Sequence, residues 1–279
     1  GGSKTLDDFE GSFRADWADG TMQWMEDCHG DTYSVAPRNG VVYTAAHTHY
    51  CGNIGEFPQL SPWHYNHSLA FAKQPSGRTI TADIYGYRSF TGQPAGQLLH
   101  WYPIWTPGTY TGLNQAGWTI TRSGNYLLYG GEFTKVSKSN QQGLVRFAVR
   151  SVAPNKMGPN VTGGNYQITT LSFQAGAARI SWQANEDPDD TNLVYRVYRQ
   201  GTVAPLYETS ADSTYWVKPT MTYTDTGLTP GQTYNYRVEV VDPSGNSTRS
   251  DWTPVTVAST GSMTAYNSTI LNAAPTYYW

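Results

Sequence analysis

The stretch Gly117–Arg150, GWTITRSGNYLLYGGEFTKVSKSNQQGLVRFAVR, constrains the fold more than any other part of the chain. Three β-type runs, Trp118–Thr121, Tyr126–Tyr129 and Leu144–Val149, are separated by Ser123–Gly124–Asn125, Gly130–Gly131 and Asn140–Gln141–Gln142–Gly143. Short runs of β-branched and aromatic residues punctuated by Gly, Asn and Ser form antiparallel strands joined by tight turns. The Gly130–Gly131 pair at a strand end predicts a bend or a close backbone approach that only glycine tolerates. The pattern occurs once before, in TYSVAPRNGVVYTAAHT, Thr32–Thr48, where Ala45–Ala46 stand in place of the glycine pair. Val35, Gly40 and Tyr43 align with Ile120, Asn125 and Leu128, and Leu69–Ala72 repeats Val145–Ala148. A repeated antiparallel unit of this size signals a repeat architecture, and four-stranded units set around an axis make a β-propeller.

The run YGGEFTKVSKSNQQGLVRF, Tyr129–Phe147, resembles the actinobacterial and phage propeller repeat whose blades read GG-x-F-x-x-V-x-G-x-x-[RQ]-x-G-L-A-R-F. DCHGDTYSVAPRNGVVYTAAH, Asp27–His47, resembles a variant blade of the same family, with His47 in place of the acidic residue. The resemblance covers residues 1–150 and implies an all-β, partial β-propeller with two blades visible. A propeller closes with about four to eight blades, so further blades are expected to precede residue 1. Phe9–Phe13, followed by Asp16–Trp17, reads as an inter-blade connection, and IYGYRSFTG, Ile84–Gly92, as the outer strand of the first blade.

Several function classes are excluded or disfavoured by what the chain lacks. Charged residues make up 14% and the net charge is -3, with no basic stripe, which argues against a nucleic-acid partner. No run approaches the roughly 18 apolar residues of a membrane helix, so membrane insertion is not expected. The N-terminus carries no secretion-signal pattern, so any leader lies outside this chain or is not used. No nucleophile elbow, P-loop or dinucleotide glycine pattern occurs, and the chain reads as a non-enzyme that needs no cofactor. A propeller hydrolase or sugar oxidoreductase is the least favoured alternative.

The candidate ligand-binding residues are Trp101, Tyr102, Trp105 and Tyr110, clustered in HWYPIWTPGTYTG, a stretch that reads as a loop. Aromatic rings on a loop stack against sugar rings or a partner protein; the competing reading is that they pack on the neighbouring blade. A hairpin over Thr32–Thr48 centred near Arg38–Asn39 brings Cys28 opposite residues 50 and 51, within disulfide reach of Cys51. Such a bond suits an oxidising compartment or an exposed virion. The same register sets His29 near His49 and Asp31 near His47, with His64 and His67 following. These four side chains, His29, Asp31, His47 and His49, are candidate ligands of a structural metal ion; the alternative is that they staple turns by hydrogen bonds.

Residues 151–165, SVAPNKMGPNVTGGN, read as a linker. Beyond it come short alternating strands: Ile168–Phe173, Ala178–Ala184, Val194–Arg199, Thr222–Thr226, Thr233–Val241 and Trp252–Val257. In TYNYRVEVV, Tyr234, Tyr236, Val238 and Val240 share one face, with Arg237 and Glu239 pointing outward. This part, residues 166–258, resembles a fibronectin type III domain: RISWQA carries the core tryptophan, Trp182, and GLTPGQTYNYRVEVVDPSGN the tyrosine-corner residue, Tyr234. The resemblance implies a β-sandwich that serves as a spacer or adhesive module without catalytic residues. The acidic loop Glu186–Asp190 reads as a solvated turn, with calcium as its alternative ligand. Residues 259–279 form a linker and a tail in which Tyr266, Leu271, Tyr278 and Trp279 resemble the opening of a laminin-G-like domain.

The expectation is a recognition or adhesion protein of a cell or virion surface. It would be a phage minor tail protein or a secreted actinobacterial surface protein that contacts a glycan or protein receptor, with other subunits of a larger assembly as neighbours. A structural subunit making inter-subunit contacts is the alternative.

Overall fold

In a computed structural model of the chain, residues 9–153, 156–262 and 264–272 are described. The chain divides into two compact units, residues 1–155 and 156–279, each with its own core.

In the first unit, β1 (Ser12–Ala15), β2 (Met22–Glu26), β3 (Thr32–Arg38), β4 (Val41–Thr48), β5 (Asn66–Thr79) and β6 (Pro94–Leu98) form one six-stranded sheet. Its order is β1-β2-β6-β5-β4-β3; β3 to β6 make an antiparallel meander, and β2 meets β6 in parallel through Met25 and Ala95. The β3–β4 turn is closed by Asn39 (φ 46°) and Gly40 (φ 83°). Positive φ at both central residues gives the turn whose twist matches the flanking strands, which pairs Arg38 with Val41 and sets the register of the whole hairpin. Trp24 on β2 is fully buried, lies 5.9 Å from the Phe71 ring and donates its indole N–H to the Lys73 carbonyl at 2.8 Å.

The second sheet of this unit is built on β9 (Tyr126–Val136). Its first half lies between β8 (Ala116–Ser123) and β11 (Leu144–Ala148), and its second half meets β7 (Trp105–Pro107) and β10 (Ser139–Asn140). The change of partners falls at Gly130–Gly131, where a Cβ on Gly131 would sit 2.0 Å from the Ala116 carbonyl oxygen. The glycine is therefore required by close approach, and the β8 register shifts at the same place, between Gly117 and Thr119. Ala36 and Ala45 pack with Trp105, Ile120, Leu127, Tyr129, Phe133, Val136 and Val145 in one apolar cluster. Ala45, in the position equivalent to the glycine pair, is fully buried in that cluster.

Two expectations about this unit are corrected. Ile84–Gly92 is not a strand: the Asp83 carboxylate accepts hydrogen bonds from the Tyr85 and Tyr87 N–H groups and holds the segment in turns. The outer strand of the meander is β6 instead. Phe9–Phe13 is not simply a connection, because Ser12 opens the edge strand β1, which pairs with β2. The four-stranded β3-to-β6 meander is thus extended by β2 and β1 to six strands.

In the second unit, β12 (Ile168–Leu171), β13 (Ala177–Gln183), β14 (Asn192–Arg199), β15 (Tyr207–Asp212), β16 (Thr220–Thr226), β17 (Thr233–Val241), β18 (Ser247–Arg249) and β19 (Thr253–Thr256) make two antiparallel sheets. One runs β12-β13-β16; the other runs β15-β14-β17, with β18 and β19 both pairing to β17. This is the sandwich expected from the fibronectin type III resemblance. Its core holds Trp182, Leu193, Tyr195, Val197, Tyr236, Val238 and Val240, all 0–2% exposed. The Tyr234 hydroxyl accepts the Thr229 N–H at 3.1 Å, the back-bond of a tyrosine corner.

Glu239 points away from that core, as the alternation expects, yet is only 5% exposed. Arg249 Nε donates to it at 2.8 Å and the Tyr198 hydroxyl at 3.1 Å, so charged and polar neighbours cover it in place of water. Part of the expected linker belongs to this unit as well. Asn160 N–H donates to the Glu186 carbonyl at 2.8 Å, Val161 N–H to Asn185 Oδ1 at 3.0 Å, and Gly163 bridges to Ser250. Tyr266 and Leu271 fall on a short helix, α1 (Ala265–Asn272), whereas Tyr278 and Trp279 lie outside the described residues.

Candidate functional site: an aromatic and histidine cleft

The approach to β5 reads Pro62-Trp63-His64-Tyr65-Asn66-His67, and it builds one wall of a cavity of about 250 Å3 in the first unit. Residues two apart in extended chain share a face, and the Tyr65 and His67 rings stack 6.4 Å apart at 22°. The opposite wall comes from Tyr102, Pro103, Ile104, Trp105 and Pro107, with Asn114 completing the lining. Trp63, 47% exposed, stands at the rim with its ring 4.0 Å from His49 and only 18° from parallel. Tyr65 meets Trp63 edge-on at 6.0 Å.

Among the described residues, the cleft lining contains no Lys, Arg, Asp or Glu. Burial pushes His67 down to about 4, against weaker opposing backbone hydrogen bonds, so its imidazole is neutral at neutral pH. His49, behind Trp63, is likewise held at about 4, by burial first and then by His29 and His47. The arrangement offers flat apolar rings with amide and imidazole hydrogen-bonding groups and no carboxylate, ammonium or guanidinium.

Beneath it lies a buried polar cluster tied together by the hairpin. Cys28 and Cys51, both fully buried, form a disulfide with a Cα–Cα distance of 4.3 Å. His49 N–H donates to the His29 carbonyl at 2.9 Å, and His47 N–H to the Asp31 carbonyl at 3.2 Å. His29 Nε2 lies 2.8 Å from Asp83 Oδ2, with both side chains at most 2% exposed. Its ring is flanked by Tyr87 at 4.1 Å and Tyr50 at 4.8 Å. Glu26 accepts hydrogen bonds from the Ser12 hydroxyl (2.7 Å) and the Cys28 N–H (3.2 Å). Burial nevertheless raises its carboxyl to about 8, and that of Asp27 to about 7.

The hairpin register foreseen for the histidines is present, but the four candidate metal ligands do not converge. His29 turns to Asp83, while His47 Nδ1 pairs with the Tyr33 hydroxyl at 2.6 Å and Asp31 is exposed. Among the described residues, one group of three has ligand atoms all within 4.8 Å of one another, namely Asp187, Asp189 and Asp190 of the second unit. Asp187 Oδ1 there accepts the Asp189 N–H at 3.0 Å, which accounts for the tight acidic loop as a turn.

Of the four candidate stacking residues, Tyr102 and Trp105 line the cleft, and Trp101 and Tyr110 do not. Trp105 is 8% exposed, packs edge-on against Phe133 at 4.9 Å and donates its indole N–H to the Ser68 hydroxyl at 2.9 Å. It is a core residue whose edge reaches the cleft, and Tyr102, also 8% exposed, forms the wall in the same way. Trp101 packs edge-on against Tyr43 and Phe147, both at 5.2 Å, beside a separate cavity of about 50 Å3. Tyr110 is 97% exposed and outside both cavities. The exposed platform is Trp63, which sequence reasoning passed over. Its signal was the alternation of rings in PWHYNHS just before an apolar strand.

No family model matches the chain. Among curated proteins, it is 30% identical over 125 residues to an α-amylase of Niallia circulans, a match covering 44% of this chain and 8% of that protein. Among solved structures, it is similar to the sixth fibronectin type III domain of human fibronectin type III domain containing protein 3, at 19% identity and a TM-score of 0.25. That match covers 41% of this chain and 98% of the other. The FN5 domain of Drosophila Lar is similar at 15% identity and a TM-score of 0.22, over 36% of this chain and 98% of that one.

Proposed function

We propose that this chain is a non-catalytic recognition module of an extracellular or virion surface, and that its first unit contacts a cell-wall glycan. The observation that carries the reading is the uncharged cleft rimmed by the half-exposed Trp63. Ligand sites of this kind combine apolar rings with a few fixed polar groups. The buried Cys28–Cys51 disulfide supports an oxidising setting. The β3-to-β6 meander and the β9-centred sheet are read as two blades of a propeller, and the sandwich as a spacer. A minor tail, receptor-binding protein of an actinobacteriophage and a secreted actinobacterial surface protein both fit this modular, all-β arrangement. Amylase activity belongs to a relative matched over 8% of its length and is not carried over.

One observation favours the assembly-subunit reading. Phe13 on edge strand β1 is 58% exposed and nearby Trp17 fully so, and exposed edges with apolar side chains pair with other chains. Retention of the chain on purified actinobacterial cell-wall polysaccharide separates the two. Saturable retention supports recognition. No retention, with concentration-dependent self-association, overturns it in favour of assembly.

A further inference from the structure

We propose that the cleft is a subsite for a single neutral pyranose ring stacked on Trp63. This inference rests on the recognition reading and names its ligand class. Trp63 has one ring face against His49, at 4.0 Å and 18°, while 47% of the residue stays exposed at the cavity rim. The stacked imidazole fixes the plane of the indole, and the free face is a platform ordered before any ligand arrives. Pre-ordering lowers the entropic cost of binding. The axial C–H groups of a pyranose pack on such a face, while its equatorial hydroxyls meet the polar groups around it.

Size and charge select the ligand. The cleft, about 250 Å3 and open to solvent, has room for a sugar ring beside Trp63. With one half-exposed platform, Trp63, it stacks one ring. With no charged side chain in the lining, a uronic acid or an amino sugar would carry its charge in uncompensated. Asn114 offers its amide at the same cavity, beside the buried imidazole of His67. A sugar hydroxyl serves such an amide as donor or as acceptor.

The test is titration of the 279-residue chain with methyl glucoside, galactoside and mannoside. Binding is read by tryptophan fluorescence and saturation-transfer NMR, with glucuronate and glucosamine as charged counterparts. Saturable binding of at least one neutral pyranoside is expected, with a Kd of about 1–10 mM for so small a ligand. Trp63→Ala weakens it at least about tenfold and Trp63→Phe less than that, as for a stacking platform. Trp63→Ala is first checked for an unchanged thermal midpoint, and Asn114→Gly, which keeps the positive φ of 57° accessible, gives a second, independent loss. Absence of binding by any neutral pyranoside overturns the subsite, as does equal binding by Trp63→Ala, tighter binding of a charged sugar, or selective capture of a proline-rich peptide. Polysaccharide retention without pyranoside binding overturns the subsite and leaves the recognition reading standing. Pyranoside binding without retention supports the subsite and overturns the cell-wall reading.

Discussion

Replacing Glu26 by glutamine should flatten the pH dependence of the first unit's stability above neutrality. The Glu26 side chain is 2% exposed, and burial raises its carboxyl from 4.5 to about 8. Between those values the folded chain holds a proton that the unfolded chain has lost. Stability therefore falls as pH rises, by about 1.4 kcal/mol per unit, until both forms are ionised above pH 8. Asp27, raised from 3.8 to about 7, acts in the same direction up to pH 7. His49 and His67, lowered from 6.5 to about 4, act in the opposite direction, but only below pH 6.5. From pH 6.5 to 8 Glu26 thus loses about 2 kcal/mol, the product of that interval and the linkage slope.

The glutamine side chain of the Glu26→Gln variant keeps the volume and most of the bonding. Its Oε1 accepts the Cys28 N–H, and its amide donates to the Ser12 hydroxyl. The assay is differential scanning calorimetry of wild type and Glu26→Gln at pH 6.5 and 8.5. A gap of about 2 kcal/mol moves Tm by about 6 °C for a unit of this size, so wild type should drop by that much more than the variant over the interval. Parallel profiles for the two proteins, or a wild type that gains stability over it, would refute the assignment of a protonated, buried Glu26.

Two further outcomes follow from the same unit. Cys28→Ser with Cys51→Ser opens a loop of sequence separation 23 and should cost about 3 kcal/mol, seen as a lower urea midpoint for the first unit with the sandwich transition unmoved. Gly131→Ala sets a methyl 2.0 Å from the Ala116 carbonyl oxygen and should destabilise by about 2–4 kcal/mol; a Tm within about 2 °C of wild type would show that β8 yields without cost.

The second unit was more legible than the first. In β17 the alternation of Tyr236, Val238 and Val240 with polar neighbours is a period-two pattern that local sequence carries in full, and the strand spans Thr233–Val241 as read. In β15, YETSAD has no apolar alternation, so nothing in the segment announced a strand. It forms because β14 offers Val197 through Asn192 as a template for pairing. β2 and β6 were hidden for a related reason. PAGQL is a strand through its pairing with β5 and β2, although its own residues are poor strand formers.

The candidate site shows the same division. The hairpin turn at Asn39–Gly40 carries its conformation in its residue types, and with it came the register, the Cys28–Cys51 bond and the facing of His29 with His49. Those are local or nearly local relations, and they can be followed by counting along the chain. Which tryptophan faces solvent is a different matter. Trp105 and Trp63 are both aromatic, and both stand near proline in polar surroundings. Trp105 is buried because β7 docks on β9 and sets it against Phe133, and Trp63 is exposed because His49 covers just one of its faces. Residue types and spacing were enough for the strongly alternating strands, the hairpin register and the disulfide, since each depends on backbone geometry over a short span. Which rings line a cleft and which fill a core was settled only when the sheets packed, because burial depends on what distant segments bring to the same place.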